Sequence, residues 1–171
     1  MGLLTLTRRR EPGDRDGAFA RMGDEFGFPP HAIDSHLVPM LRQDHRDLEA
    51  MANEIREASA AERYEELAAL IAAFKTRLQA HLLTENYRLY GRLEIWFARD
   101  AACSELMRGF RREMNGIGRE AVRVLEKWQA RGIDPIDAEP FRREFDHIEK
   151  LLRQRADREE RSLFLLYTAQ D

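Results

Sequence analysis

The stretch that decides the fold is residues 67–90, LAALIAAFKTRLQAHLLTENYRLY. Its apolar residues fall at Leu67, Ile71, Phe74 and Leu78, alternating steps of four and three. That spacing keeps one face of an α-helix apolar, and no strand has this period. The same face continues into His81 and Glu85, so the stripe passes from hydrocarbon to ionisable groups without leaving its side of the helix.

Three further stripes share this period. The first is Leu37, Leu41, His45, Leu48, Ala52 and Ile55. The third runs Cys103, Leu106, Phe110, Met114 with Glu113 beside it, Ile117, Ala121, Val124 and Trp128. The fourth is Phe141, Phe145, Ile148, Leu152, Arg155, Glu159, Ser162 and Leu166. Helix limits follow from stop and start residues. A first helix is expected from a Ser35 N-cap to Ala58, with Pro39 in its first turn, where a missing N–H costs little. A second should run from Ala61 to Phe97, and a third from just after Asp100 to Gly132, a residue suited to end a helix. A fourth should start at an Asp137 N-cap, with Pro140 in its first turn, and reach Thr168. Short links between long helices make neighbours antiparallel. The expected fold is therefore all-α, an up-down-up-down four-helix bundle over residues 34–171.

Residues 1–33 read differently. Half of the chain's 10 glycines lie there, with Pro12, Pro29 and Pro30 and charges of both signs. Such a segment builds no core of its own and is expected to be a flexible N-terminal tail.

The charged residues inside the stripes fall at one height. Antiparallel neighbours meet where their numbers are symmetric about the turn. His45 and the His81–Glu85 pair are centred near Arg63, Glu85 and Met114 near Asp100, and Met114 and Arg155 near Asp134. One layer should thus hold His45, His81, Glu85, Arg155, Glu159, and Met114 or Glu113. Burying such groups is costly unless they pair or bind metal.

The motif His81-Leu-Leu-Thr-Glu85, followed by Leu89-Tyr90, resembles the hemerythrin-like family of cation-binding bundles. Asp44-His45 is similar to that family's first histidine. The resemblance spans roughly residues 36–168 and implies a metal site built of His45, His81, Glu85 and Glu159, with iron as its metal. It also marks departures. Gly91 stands where the family has proline after Leu-Tyr. Arg155 stands where its last helix carries histidine, and Glu113-Met114-Asn115 lies near the place of its third-helix histidine. The expectation that follows is an incomplete metal site with no resident cofactor. Arg155, a cation that bridges carboxylates through several donors, would link Glu85 and Glu159 in the metal's stead. The run Arg155, Glu159, Glu160, Arg161 and Leu163 to Tyr167 is also similar to anti-sigma regulators of the regulator-of-sigma-D kind.

Composition bounds the function. At 171 residues with a net charge of -3, no global field favours nucleic acid or an anionic membrane. A lone Cys103 fits a reducing compartment, and neither a secretory leader nor a membrane span is evident, so a cytoplasmic location is expected. No phosphate-binding loop or Ser-centred elbow is present. The expectation is a non-enzymatic regulatory or protein-interaction bundle, with Trp96, Phe97, Phe164 and Tyr167 as candidates for a surface that takes a partner protein or a second copy. The alternative is a metal-binding sensor or store that uses His45, His81 and Glu85, with Glu113 or Glu159 added.

Overall fold

The computed structural model describes residues 33–169, all helix and turn. The expected tail lies almost wholly outside this range. Helix α1 is Leu37–Ala60, α2 is Tyr64–Thr84, and a π-helical turn, Glu85–Tyr90, joins α2 to α3, Gly91–Trp96. Helix α4 is Ala101–Arg131, α5 is Ala138–Arg161 and α6 is Leu163–Thr168. Helix α1 packs on α2, α2 on α4, α4 on α5, and α5 back on α1, which closes the up-down-up-down ring.

The ends follow local chemistry. The Asp100 side chain accepts from Cys103 N at 3.0 Å and caps α4. Gly132, at φ 77°, ends that helix in the left-handed region that glycine enters most easily. Ser35 is not the cap of α1: its place is taken one residue later by His36, whose carbonyl receives Met40 N at 3.0 Å. Asp137 precedes α5 without a side-chain cap, because Arg131 holds its carboxylate at 2.5 Å. Asp134 instead accepts from Ile136 N and Asp137 N and turns the chain into α5. The fourth rod breaks at Ser162 and resumes as α6.

One half of the core is hydrocarbon: Ala52 and Ile55 on α1, Leu67, Ile71, Phe74 and Leu78 on α2, Ala121, Leu125 and Trp128 on α4, and Phe141, Phe145 and Ile148 on α5. The stripes of α1, α2 and α5 run as the sequence spacing predicts. That of α4 is turned. Its buried face is Met107, Met114, Gly118, Ala121, Leu125 and Trp128, while Leu106 is 51% exposed. The difference arises at Gly118, which offers no side chain to a hydropathy pattern but sits at the contact with α2. A Cβ there would stand 2.8 Å from Leu82 Cδ1.

Beyond the polar layer the core is apolar again, with Leu37, Leu41, Leu93, Met107, Leu163, Phe164 and Tyr167 buried. Phe164 and Tyr167 are thus core residues and not partner surface. Phe164 stacks on His45, and Tyr167 packs against Trp96 at 5.2 Å between ring centres. Among the described residues, no helix is long and apolar enough to cross a membrane.

Candidate metal centre

The layer is set by helical spacing and by one irregularity. His81 and Glu85 are four residues apart at the end of α2, so both point inward. A regular α-helix would then bury either Leu89 or Tyr90. The π-helical turn inserts an extra residue into the register, and both Leu89 and Tyr90 are fully buried. Asn86 Nδ2 donates to Leu82 O at 2.9 Å and to Asn115 Oδ1 at 3.3 Å, tying the turn to α4. Gly91 is not demanded by space, since a Cβ there would meet only Asn86 O at 3.6 Å.

His45 on α1 and His81 on α2 are edge to face, 4.8 Å between ring centres. A ring nitrogen from each and a Glu85 oxygen lie within 4.8 Å of one another. His81 Nε2 is 3.6 Å from Glu85 Oε2, and His45 Nε2 is 3.8 Å from Glu159 Oε2. Each imidazole is held from behind by a carboxylate on Nδ1. For His45 this is Glu160 Oε1 at 2.9 Å, and for His81 it is Asp44 Oδ2 at 3.4 Å. That leaves Nε2 of each ring facing the layer, the arrangement outer carboxylates give to metal-binding histidines. Arg77 in turn holds Asp44 at 2.6 Å.

Arg155 is buried on the other side of Glu159. Its Nη2 donates to Glu159 Oε1 at 2.9 Å and to the Tyr90 hydroxyl, and Tyr90 in turn donates to the same Oε1 at 2.8 Å. The guanidinium carbon lies 4.7 Å from the centre of the Phe110 ring, so the charge also rests on an aromatic face. The predicted bridge from Arg155 to Glu85 is not made. Neither oxygen of Glu85 has a hydrogen-bond partner, although the side chain is fully buried. Glu85 projects from the start of the π-helical turn while Arg155 projects from α5 beside Glu159, and the short reach of the i,i+4 pair keeps the guanidinium on its own helix.

Glu113 is outside the layer. It pairs with Arg158 at the surface, one step around α4 from Met114, which is the residue that turns inward. The structure therefore gathers His45, His81, Glu85, Arg155 and Glu159 as the sequence predicts and excludes Glu113. Tyr90, Asp44 and Glu160 were missed as parts of the site. The Leu-Tyr motif was a signal for the first. The two acids stand next to site residues in Asp44-His45 and Glu159-Glu160, but only the fold places them behind the imidazoles.

The electrostatics are those of an under-compensated site. Burial, and then the neighbouring Glu159 carboxylate, pushes Glu85 well above the usual carboxylate range. Burial, and then His81, lowers His45, which favours the neutral imidazole. The hydrogen bond from His81 lowers Asp44, against the effect of its own burial. Burial and Glu159 raise Tyr90, which stays a phenol and a donor. Within the layer four acceptor atoms, both Glu85 oxygens, Glu159 Oε2 and His45 Nε2, and two donors, Arg155 Nε and Nη1, are buried without a hydrogen-bond partner. Two imidazoles and two carboxylates converging in one buried layer form a donor set that a transition-metal cation fits.

A cavity of about 140 Å³ reaches this point from between α1 and α5. His45, His81 and Glu159 line it, with Leu48, Phe74, Leu78, Met114 and Leu152 as apolar walls. The bundle is thus open at this point. Arg153 spans the two helices at the cavity rim, with Glu49 at 2.6 Å and Glu149 at 2.5 Å.

A family model described as "Hemerythrin HHE cation binding domain" matches residues 36–167, the greater part of the chain. No curated protein and no solved structure gives a significant match.

Proposed function

The chain belongs to the hemerythrin HHE cation-binding family, and we propose that it is a non-enzymatic regulatory bundle that binds a transition-metal ion, iron foremost, in its polar layer. His45 Nε2, His81 Nε2 and Glu85 would hold the ion, with Glu159 Oε2 as the fourth donor. The observation that carries this is the convergence of buried acceptors that no protein donor satisfies. Leaving such groups unpaired costs about 1–3 kcal/mol each, and a cation removes that cost. Bound there, a metal supplies positive charge and a rigid link between α1, α2 and α5.

A regulatory role fits better than catalysis. The cavity is small, and its lining residues include no Ser, Thr or Cys to serve as nucleophile. Leu83 and Tyr87, 58% and 67% exposed, stand on the outer face of the same two turns that carry His81 and Glu85 inward. A partner protein or a second copy seated on them would sense whether those turns are held by metal. We place the protein in the cytoplasm, where a reduced Cys103 persists.

The test is elemental analysis of protein purified without chelator. A working site should be mostly filled, so less than about a tenth of an equivalent of any transition metal sinks the reading. A metal-free bundle stabilised by Arg155 alone is the competing view. It accounts for Glu159, which Arg155 pairs, but holds Glu85 only by keeping it protonated.

A further inference from the structure

We propose that Arg155 is a built-in second cation of the layer, so that the site takes one metal ion and Glu159 bridges that ion and the guanidinium. This rests on the metal reading above and adds what sets the count.

The two oxygens of Glu159 face different neighbours. Oε1 accepts from Arg155 and Tyr90, while Oε2 has no hydrogen-bond partner and stands 3.8 Å from His45 Nε2. One carboxylate is thereby divided between a permanent cation and the imidazole side of the layer. Charge counting gives the same division. Among the described residues Glu85 and Glu159 are the fully buried acids, and Arg155 is the buried permanent cation. With both acids ionised, Arg155 leaves one negative charge, which one divalent ion turns into one positive charge and a second would turn into three. A second divalent ion would have to sit beside a guanidinium that cannot give up its charge. The remaining acids near the layer are engaged from outside, Asp44 by Arg77 and Glu160 by Arg42 at 3.7 Å.

The layer contains its own control. His81 and Glu85 are an i,i+4 pair where α2 runs into the π-helical turn, and Arg155 and Glu159 are an i,i+4 pair on α5. Replacing Arg155 with histidine would give α5 the same donor spacing that α2 already has, and would free Glu159 Oε1.

Chelator-stripped full-length protein is loaded with excess Mn(II), desalted and counted for metal. We expect one equivalent on the wild type and on Arg155→Lys, which keeps the charge, and two on Arg155→His. One equivalent on both the wild type and a folded Arg155→His overturns the role of Arg155 and leaves the metal reading standing. Two on the wild type does the same. None on the wild type overturns the metal reading itself. If Arg155→His does not fold by far-ultraviolet circular dichroism, electron paramagnetic resonance of the loaded wild type decides. An isolated six-line Mn(II) signal supports the proposal, and an exchange-coupled pair overturns it.

Discussion

Arg155 and Glu159 form an ion pair within one helix, Nη2 to Oε1 at 2.9 Å, in which neither side chain reaches solvent. The pair satisfies one oxygen of the acid and leaves Glu159 Oε2, and all of Glu85, without a hydrogen bond. The layer is therefore half compensated, and its response to mutation depends on which half is touched.

Removing the base strands its acid. In metal-free protein Arg155→Ala should cost roughly 3–5 kcal/mol, the usual penalty for breaking a buried pair from one side. Arg155→Met combined with Glu159→Gln should recover most of that loss. Urea unfolding of the three proteins checks it, and equal stability of the single and double variants would contradict the pairing.

Glu85 gives the layer a pH signature. Burial and Glu159 raise it above its value in the unfolded chain, so the folded protein keeps a proton that the unfolded chain releases. Its contribution to stability is full below the unfolded carboxylate range and is lost as pH rises toward the folded value. His45, lowered by burial, has the opposite sign: its contribution is present above the unfolded histidine range and is lost as pH falls. The difference in melting temperature between Glu85→Gln and wild type, both metal-free, isolates the first effect. It should grow in favour of the variant from about pH 5 upward. Parallel curves would show that Glu85 does not titrate as the fold requires.

Tyr90 earns its place in the layer through one hydroxyl that both donates to Glu159 and accepts from Arg155. Tyr90→Phe keeps the ring and the burial. It should cost about 1.5–3 kcal/mol, the range for a hydrogen bond to a charged group, by chemical denaturation. A neutral result would mean that the hydroxyl is not what orders the pair.

Asp44 should matter to metal more than to fold. Its Oδ2 holds His81 Nδ1 at 3.4 Å, and outer carboxylates of this kind typically tune affinity by about 10–100-fold. Asp44→Ala should weaken Zn(II) binding by that order in a competition titration. Asp44→Asn, which still offers a carbonyl oxygen, should lose less. Equal affinities for all three would remove Asp44 from the site.

Glycines in α4 separate propensity from packing. A Cβ at Gly109 or Gly116 meets nothing within 4 Å, so alanine at either should stabilise by about 0.5–1 kcal/mol. At Gly118 the same gain is opposed by contact with Leu82 Cδ1. Gly118→Ala should therefore gain less than the other two, or lose stability. Three thermal melts compare them.

The reach of the sequence is clearest at α2. Leu67, Ile71, Phe74, Leu78, His81 and Glu85 all point inward as their spacing requires, because a single helix face depends only on local geometry. On α4 the same rule chose the neighbouring face. Gly118 has no hydropathy to register, and Leu106 and Phe110 offered a competing stripe. Of the two α4 candidates for the layer, Met114 turns inward, and Glu113 beside it lies against Arg158.

What the sequence by itself determined is the set of four amphipathic helices and the level at which charge enters their core. Both follow from the 3.6-residue period and from the near-equal lengths of chain on either side of each turn. What only the tertiary structure decided is who pairs with whom at that level. Arg155 could have served Glu85 or Glu159, and its reach across or along the bundle depends on rotamers and inter-helix distance, which no spacing in the sequence encodes. The π-helical turn is of the same kind. It brings Tyr90 onto Glu159 by one added residue of register, a shift that is held by packing and not by the intrinsic preference of Glu85–Tyr90.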